Sequence, residues 1–106
     1  MTKPEVDAVL GALADPTRRA LLDALAARGQ ASASVLAADL PVSRQAIVKH
    51  LGVLDQAGLV AAERTGREVR YTVRSEALDA TASWMSALAN QWDRRLEAIK
   101  RAAEGP

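Results

Sequence analysis

A short stretch near the middle of the chain carries side chains suited to hydrogen bonding with the edges of DNA base pairs. Arg44 and Gln45 stand together, Val48 and Lys49 follow one turn later, and no acidic residue occurs before Asp55. Arginine can donate two hydrogen bonds to guanine, glutamine can pair with adenine, and valine can contact the methyl group of thymine. This combination predicts an element that reads DNA sequence.

The element that must position these side chains is predicted to be a helix. Ser43 is a favourable N-cap residue, and Gly58 is a favourable residue for ending a helix. Between them, Ile47, Leu51 and Leu54 recur at helical spacing and form one apolar stripe. Burial of that stripe would turn the DNA-reading side chains toward solvent.

The only histidine, His50, lies at the margin of this outward side. It has no cysteine or second histidine to complete a metal site, so the sequence favours a phosphate or base contact, or a partly packed ring. Ser43 lies seven residues before it, about 10 Å along a helix, which is too far for a nucleophile–base pair. We find no other catalytic constellation and predict that the chain is not an enzyme.

Length and composition indicate one domain without disulfides. The chain has 106 residues and no cysteine, and 49% of its residues are hydrophobic. The longest apolar run, 8–14, has seven residues, whereas a membrane span needs about 20. The same run is short for a secretory signal, and Glu5 and Asp7 precede it. We therefore expect a cytoplasmic chain.

Positive charge is concentrated around the predicted reading helix. The net charge is −1 over residues 1–42, +3 over residues 43–74 and −1 over residues 75–106. A basic segment between near-neutral arms is typical of a nucleic-acid-binding surface, although a solvated charged face could produce the same pattern.

The segments before Ser43 predict three short helices. An apolar stripe indicates a helix over residues 5–14, and Asp15-Pro16 then begins a second helix that ends at Gly29. Ser34 is predicted to cap a third helix, Val35–Leu40. Helices three and four would form a helix-turn-helix over residues 35–57.

After Gly58 the apolar period changes from helical to alternating, which predicts two strands within residues 59–74. Residues 65–68 would form the hairpin loop, with Gly66 in the turn. Arg67 at the tip could reach DNA, whereas Arg70 and Arg74 could simply keep an edge strand soluble. We predict a mainly α fold with a small β-hairpin, a winged helix-turn-helix with a long C-terminal dimerisation helix.

The final helix is predicted to begin after a capping Ser75 and to run over residues 76–102, about 40 Å. Its apolar residues recur every seven positions along a length that one small domain cannot cover. A second copy of the chain is the favoured cover, with the first helix contributing, although the helix could instead fold back and bury its two tryptophans. The expected interface residues are Val6, Leu10, Leu78, Met85, Leu88, Trp92, Leu96 and Ile99.

Three segments together resemble the ArsR/SmtB family of bacterial winged-helix repressors. They are residues 13–22, which contain Asp15-Pro16-Thr17-Arg18-Arg19, residues 42–51, and Gly58-Leu59-Val60 with Gly66, Arg67 and Tyr71. The resemblance implies a homodimer that binds double-stranded DNA at an operator and releases it when a metal or another signal binds.

The resemblance also assigns residues by position. The DNA-facing residues it implies are Ser43, Arg44, Gln45, Val48, Lys49 and His50 in the helix, and Arg64 and Arg67 in the wing. Arg18 and Arg19 match a pair of basic residues in the family, and their role is either structural or phosphate-facing.

The metal ligands of the family are not matched. Ala37-Ala38-Asp39 stands where arsenic and cadmium sensors have Cys-x-Cys, and the last helix has Asp79, Asp93 and Glu97 but no histidine. We therefore expect no resident metal and no cofactor, as in metal-independent members. The effector is left open between a small apolar molecule, a carboxylate-bound metal and none.

The sequence predicts a dimeric repressor of its own or a neighbouring operon that binds an inverted repeat. The alternative is a winged-helix interaction module whose basic face docks an acidic protein partner.

Overall fold

Five helices and three short strands make up residues 3–105, the part of the chain that the computed structural model describes, with side chains described from Glu5 onward. In chain order they are α1 (Lys3–Leu13), α2 (Pro16–Arg28), β1 (Ala31–Ser32), α3 (Ala33–Asp39), α4 (Arg44–Gln56), β2 (Val60–Thr65), β3 (Glu68–Val73) and α5 (Glu76–Glu104). This order confirms the predicted fold class, a mainly helical winged helix-turn-helix with a long last helix.

The core lies where α1 to α4 meet and is built almost entirely from aliphatic side chains. Its largest fully buried members include Leu21, Leu25, Leu36, Ile47, Leu51, Leu54 and Leu59. The three residues from α4 are the predicted apolar stripe, which is therefore confirmed as the buried side of that helix.

Both ends of α4 are closed by local hydrogen bonds. The Ser43 hydroxyl accepts from the Ala46 N–H at 3.1 Å, as predicted for an N-cap. At the other end the Gly58 N–H donates to Asp55 and the Leu59 N–H donates to Leu54, each at 2.9 Å. Gly58 has a φ of +78°, which completes a Schellman motif and turns the chain into the sheet.

The sheet has three antiparallel strands in the order β1-β3-β2, one more than predicted. The additional strand is the two-residue β1, in which Ala31 lies opposite Tyr71 and Ser32 lies opposite Arg70. Since β3 is the central strand, the idea that Arg70 protects an edge strand is wrong.

The hairpin turn is tighter than the predicted four-residue loop. Thr65 pairs with Glu68, so only Gly66 and Arg67 lie between the strands. Gly66 has a φ of +65° and Arg67 does not have a positive φ. A glycine at the first central position is the pattern of a type II′ turn, which places Arg67 at the wing tip.

Two of the predicted helix caps are wrong. α3 begins at Ala33 because the Ser32 hydroxyl, rather than that of Ser34, accepts from the Val35 N–H. Ser75 precedes α5, but its side chain makes no capping hydrogen bond. The predicted cap at Asp15 and the predicted stop at Gly29 are both found at the ends of α2.

α5 extends far beyond the domain. Its 29 residues correspond to about 44 Å of helix, and the molecule measures 71 × 27 × 21 Å. Every residue from 82 to 105 is exposed. Trp84 and Trp92 are 41% and 52% exposed, so the alternative in which the helix folds back and buries its tryptophans is wrong.

One of the expected interface residues faces the chain's own interior. Val6 is 1% exposed because it lies on the side of α1 that packs against the domain, so it offers no free surface to a second chain. Leu78 is half-buried against the core. The exposed members of that set are Leu10, Met85, Leu88, Trp92, Leu96 and Ile99.

We predict that Leu51→Ala lowers the free energy of unfolding by about 2–5 kcal/mol, because it leaves a cavity among fully buried aliphatic groups. Urea unfolding followed by circular dichroism measures this change. Val53→Ala, on the exposed side of the same helix, is the matched control and should change it by less than about 0.5 kcal/mol. Equal effects of the two substitutions would contradict the assigned orientation of α4.

Candidate nucleic-acid interface

The outward side of α4 presents a short polar and aliphatic surface. Gln45 and Lys49 are exposed one turn apart, opposite the buried stripe. Val48 is 42% exposed beside them. An amide, an ammonium group and a branched apolar group are therefore all accessible on the first two turns of this helix.

A cleft of about 540 Å³ separates α4 from the wing. Arg44 and Val48 line it from α4, Arg67 and Tyr71 line it from the hairpin, and Ser34 lines it from α3. The Arg44 Nε donates a hydrogen bond to the Ser34 hydroxyl at 3.0 Å. The first arginine of α4 is thus held at the wall of the cleft by the neighbouring helix.

The basic residues of the hairpin fall into two groups. Arg70 and Arg74 are engaged within the chain, with Arg70 Nε 3.1 Å from Glu68 Oε2 and Arg74 Nε 3.6 Å from Glu76 Oε2. Arg64 and Arg67 are exposed and form no ion pair with the described part of the chain. The wing therefore presents two arginines with free charge.

Arg18 and Arg19 close the C-terminal end of α1. Arg18 donates from Nε to the Ala12 carbonyl at 2.7 Å and from Nη2 to the Gly11 carbonyl at 3.2 Å. Arg19 Nη1 donates to the Leu13 carbonyl at 2.6 Å. The Gly11 carbonyl also accepts from the Ala14 N–H at 3.2 Å, whereas the arginines supply donors to the Ala12 and Leu13 carbonyls, which the helix itself leaves without partners. The two arginines also place positive charge at the negative end of the helix dipole. Of the two roles considered for this pair, the contacts support the structural one.

His50 lies on the flank of α4 that faces this junction. It is half-buried, and its Nδ1 is 3.4 Å from Arg18 Nη1. Because arginine only donates, this contact is a hydrogen bond only when Nδ1 carries no proton. Gln45 and Lys49 point elsewhere, so the structure does not bring His50 together with the other predicted DNA-facing residues of the helix.

Asp15 joins the same junction as the N-cap of α2. Its Oδ1 accepts from the Thr17 N–H at 2.7 Å and from the Arg18 N–H at 3.3 Å. Desolvation raises the pKa of Asp15, but these backbone hydrogen bonds, with the charges of Arg18 and His50, outweigh it and leave the pKa below its ordinary value. The ionised carboxylate is therefore the form that the fold stabilises.

A family model described as a helix-turn-helix domain matches residues 13–63. The chain is 33% identical over 88 residues to the transcriptional repressor SdpR of Bacillus subtilis, covering 83% of this chain and 97% of SdpR. It is 45% identical over 67 residues to the HTH-type transcriptional regulator YuzN of the same organism, covering 58% of this chain and 73% of YuzN.

Among solved structures, an ArsR-like transcriptional regulator from Rhodococcus sp. RHA1 superposes with a TM-score of 0.86 at 47% identity, over 97% of this chain and 96% of that one. The chain belongs to the ArsR family. Members of this family are DNA-binding transcriptional regulators, and so is this chain. The relatives and neighbours are regulators rather than enzymes, which confirms the prediction that the chain is not an enzyme.

Within the described residues, no three histidine or acidic side chains come together in a way that could hold a metal ion. No helix of residues 3–105 combines the length and the apolar composition that crossing a bilayer requires.

Sequence reasoning missed Ser34 as a part of the site. It was predicted to cap a helix, and the structure instead places its hydroxyl against Arg44 at the cleft. Ser34 and Arg44 are ten residues apart and belong to different helices, so no helical or strand periodicity relates them. Only the packing of α3 on α4 brings them together.

We predict that Asp15→Asn reduces the loss of stability in acid. A lowered folded-state pKa means that the carboxylate stabilises the fold above about pH 4, and that this contribution is lost as the pH falls through the folded value. The amide oxygen of asparagine can still cap α2 but does not titrate in this range. Urea midpoints measured at pH 7 and pH 3 should therefore differ less in Asp15→Asn than in the wild type.

Asp15→Ala, which also removes the cap, is the matched comparison and should be destabilised at pH 7. If Asp15→Asn and the wild type lost the same stability between the two pH values, Asp15 would not contribute to the acid sensitivity.

Proposed function

We propose that this chain is a homodimeric repressor of its own or a neighbouring operon, binding an inverted-repeat operator through α4 and the wing. The observation that carries the proposal is the accessible side of α4, where Gln45, Val48 and Lys49 stand beside a wing with two uncompensated arginines. The Gln45 amide and the Val48 methyl groups match the hydrogen-bonding and apolar features of base-pair edges in the major groove.

The wing would add affinity rather than sequence reading. Arg64 and Arg67 are flexible cations at or near the tip of a hairpin, suited to the phosphate backbone or the adjacent minor groove. Phosphate contacts position a protein on DNA and make its affinity fall steeply with salt. We expect Lys49 to contact the phosphate backbone as well.

A second copy of the chain is the proposed cover for α5. The side of α5 that carries Met85, Leu88, Trp92, Leu96 and Ile99 is exposed along about four turns beyond the domain. Exposed contiguous apolar surface of this extent is typical of an interface. A two-fold dimer would place its two α4 helices about one DNA turn apart, on half-sites about 10 bp centre to centre.

We further propose that the chain belongs to the metal-independent members of the family and acts in the cytoplasm, where the bacterial chromosome lies. The sequence has no cysteine and one histidine. That histidine lies beside the cationic Arg18, whose charge would oppose the binding of a metal ion.

The direct test is a mobility-shift titration of the purified chain with DNA from upstream of its own gene and with a scrambled duplex of equal length, at physiological salt. We expect a clear preference for the upstream DNA. Equal affinity for both duplexes would contradict sequence-specific repression and favour the alternative of an acidic protein partner.

We predict that Gln45→Ala relaxes base preference at one operator position, at a cost of about 1–3 kcal/mol for the lost specific contact. The measurement is competition among operator variants that each carry one base substitution. Arg67→Ala is the contrasting variant, because a lost phosphate contact should weaken all sequences alike and reduce the salt slope by about one.

An unchanged preference among the operator variants in Gln45→Ala would remove this residue from base reading. The Arg67→Ala variant shows whether a general loss of affinity alone can change the ranking.

We predict that Leu96→Glu converts the dimer to monomers, because it places a charge in the apolar face of α5 that the second copy would cover. Sedimentation equilibrium measures the change. Asn90→Glu adds the same charge on the opposite side of the helix and should leave the dimer intact. A wild-type chain that sediments as a monomer, or a dimer that survives Leu96→Glu, would contradict the proposed interface.

A further inference from the structure

The cleft between α4 and the wing has positive charge on both of its walls. Arg44 stands on one wall and Arg67 on the other, while the acidic residue in the lining, Glu68, is already paired with Arg70. Facing cations repel each other unless an anion lies between them. The polar groups beside them, including the hydroxyls of Ser34 and Tyr71, are hydrogen-bond partners for such an anion.

Arg44 is oriented differently from Gln45 and Lys49, the other exposed polar side chains on the first two turns of α4. Each residue advances about 100° around a helix, so Arg44 and Val48 share the flank facing the wing, while Gln45 and Lys49 occupy the side that faces away from the core. The bond to Ser34 uses the Nε of Arg44. The terminal nitrogens of the guanidinium remain available in a fixed plane.

Resting on the proposed function, we propose that this cleft binds a phosphodiester of the DNA backbone, that Arg44 is its main ligand, and that Ser34 is the positioning residue for Arg44. A guanidinium with two free terminal nitrogens matches a phosphate in a bidentate arrangement. The Ser34 hydroxyl fixes the plane of that group before DNA arrives, which reduces the ordering required on binding. Arg44 then supplies affinity, and base reading falls to Gln45 and Val48, in contrast to the role expected for Arg44 from sequence.

The experiment is a salt titration of binding to an operator duplex and to a scrambled duplex for the wild type, Arg44→Ala, Ser34→Ala, Ser34→Thr and the double variant Ser34→Ala/Arg44→Ala. We expect Arg44→Ala to weaken binding to both duplexes by the same factor and to reduce the salt slope by about one. Ser34→Ala should weaken both duplexes alike, by a smaller factor.

The positioning role has its own readouts. Ser34→Ala should have no further effect in the Arg44→Ala background, because its action passes through that side chain. Ser34→Thr keeps the hydroxyl and should bind as the wild type does. A duplex with a neutral methylphosphonate at the contacted phosphate should weaken the wild type but not Arg44→Ala.

Several results would overturn the inference. A changed base preference with an unchanged salt slope in Arg44→Ala would make this residue a base reader. An effect of Ser34→Ala that adds to that of Arg44→Ala would show that Ser34 acts independently. The salt slope can be measured on the scrambled duplex as well, so a wild type without operator preference would contradict the proposed function while still testing the cleft.

Discussion

Burial of one side of α4 is the constraint on which the rest of the structure depends. Ile47, Leu51 and Leu54 are fully buried in the core. Because a helix is rigid, burial of this side determines which of its residues face outward. The caps at Ser43 and Gly58 set where the helix begins and where the chain leaves for the sheet. The first strand of the wing consequently starts at Val60, only four residues after α4 ends at Gln56, which is why the two elements share a cleft.

The parts of the fold that sequence could predict are those with a period or a local chemical signature. The stripe of α4, the Asp15-Pro16 start of α2 and the glycine at the hairpin turn each depend on neighbouring residues. The two-residue strand β1 has no period, and its hydrogen bonds come from β3 about forty residues later. The same long-range pairing places Ser32 rather than Ser34 at the start of α3. The sequence alone does not show which of these two nearby serines caps the helix.

The candidate site follows the same division. Sequence located the segment of positive charge, but it could not tell which cations are already used inside the chain. Arg18 and Arg19 donate hydrogen bonds to carbonyls at the C-terminal end of α1. Arg70 and Arg74 form ion pairs with nearby carboxylates. The positive charge that is not paired within the chain is therefore smaller than the number of basic residues implies. It lies around the cleft and the wing tip. His50 was predicted to lie at the margin of the outward side of α4. It lies instead on the flank of α4 that faces away from the wing, next to Arg18 at the α1–α2 junction.

The protruding half of α5 has a consequence for how the cell handles this chain. A monomer exposes two tryptophans and several aliphatic side chains on the part of α5 that extends beyond the domain. Exposed apolar surface of this kind is what chaperones and proteases recognise. Pairing would hide that surface, so the lifetime of each copy would rise with the number of copies present. If the proposed dimer forms, the amount of a regulator built this way would fall quickly once its synthesis stops.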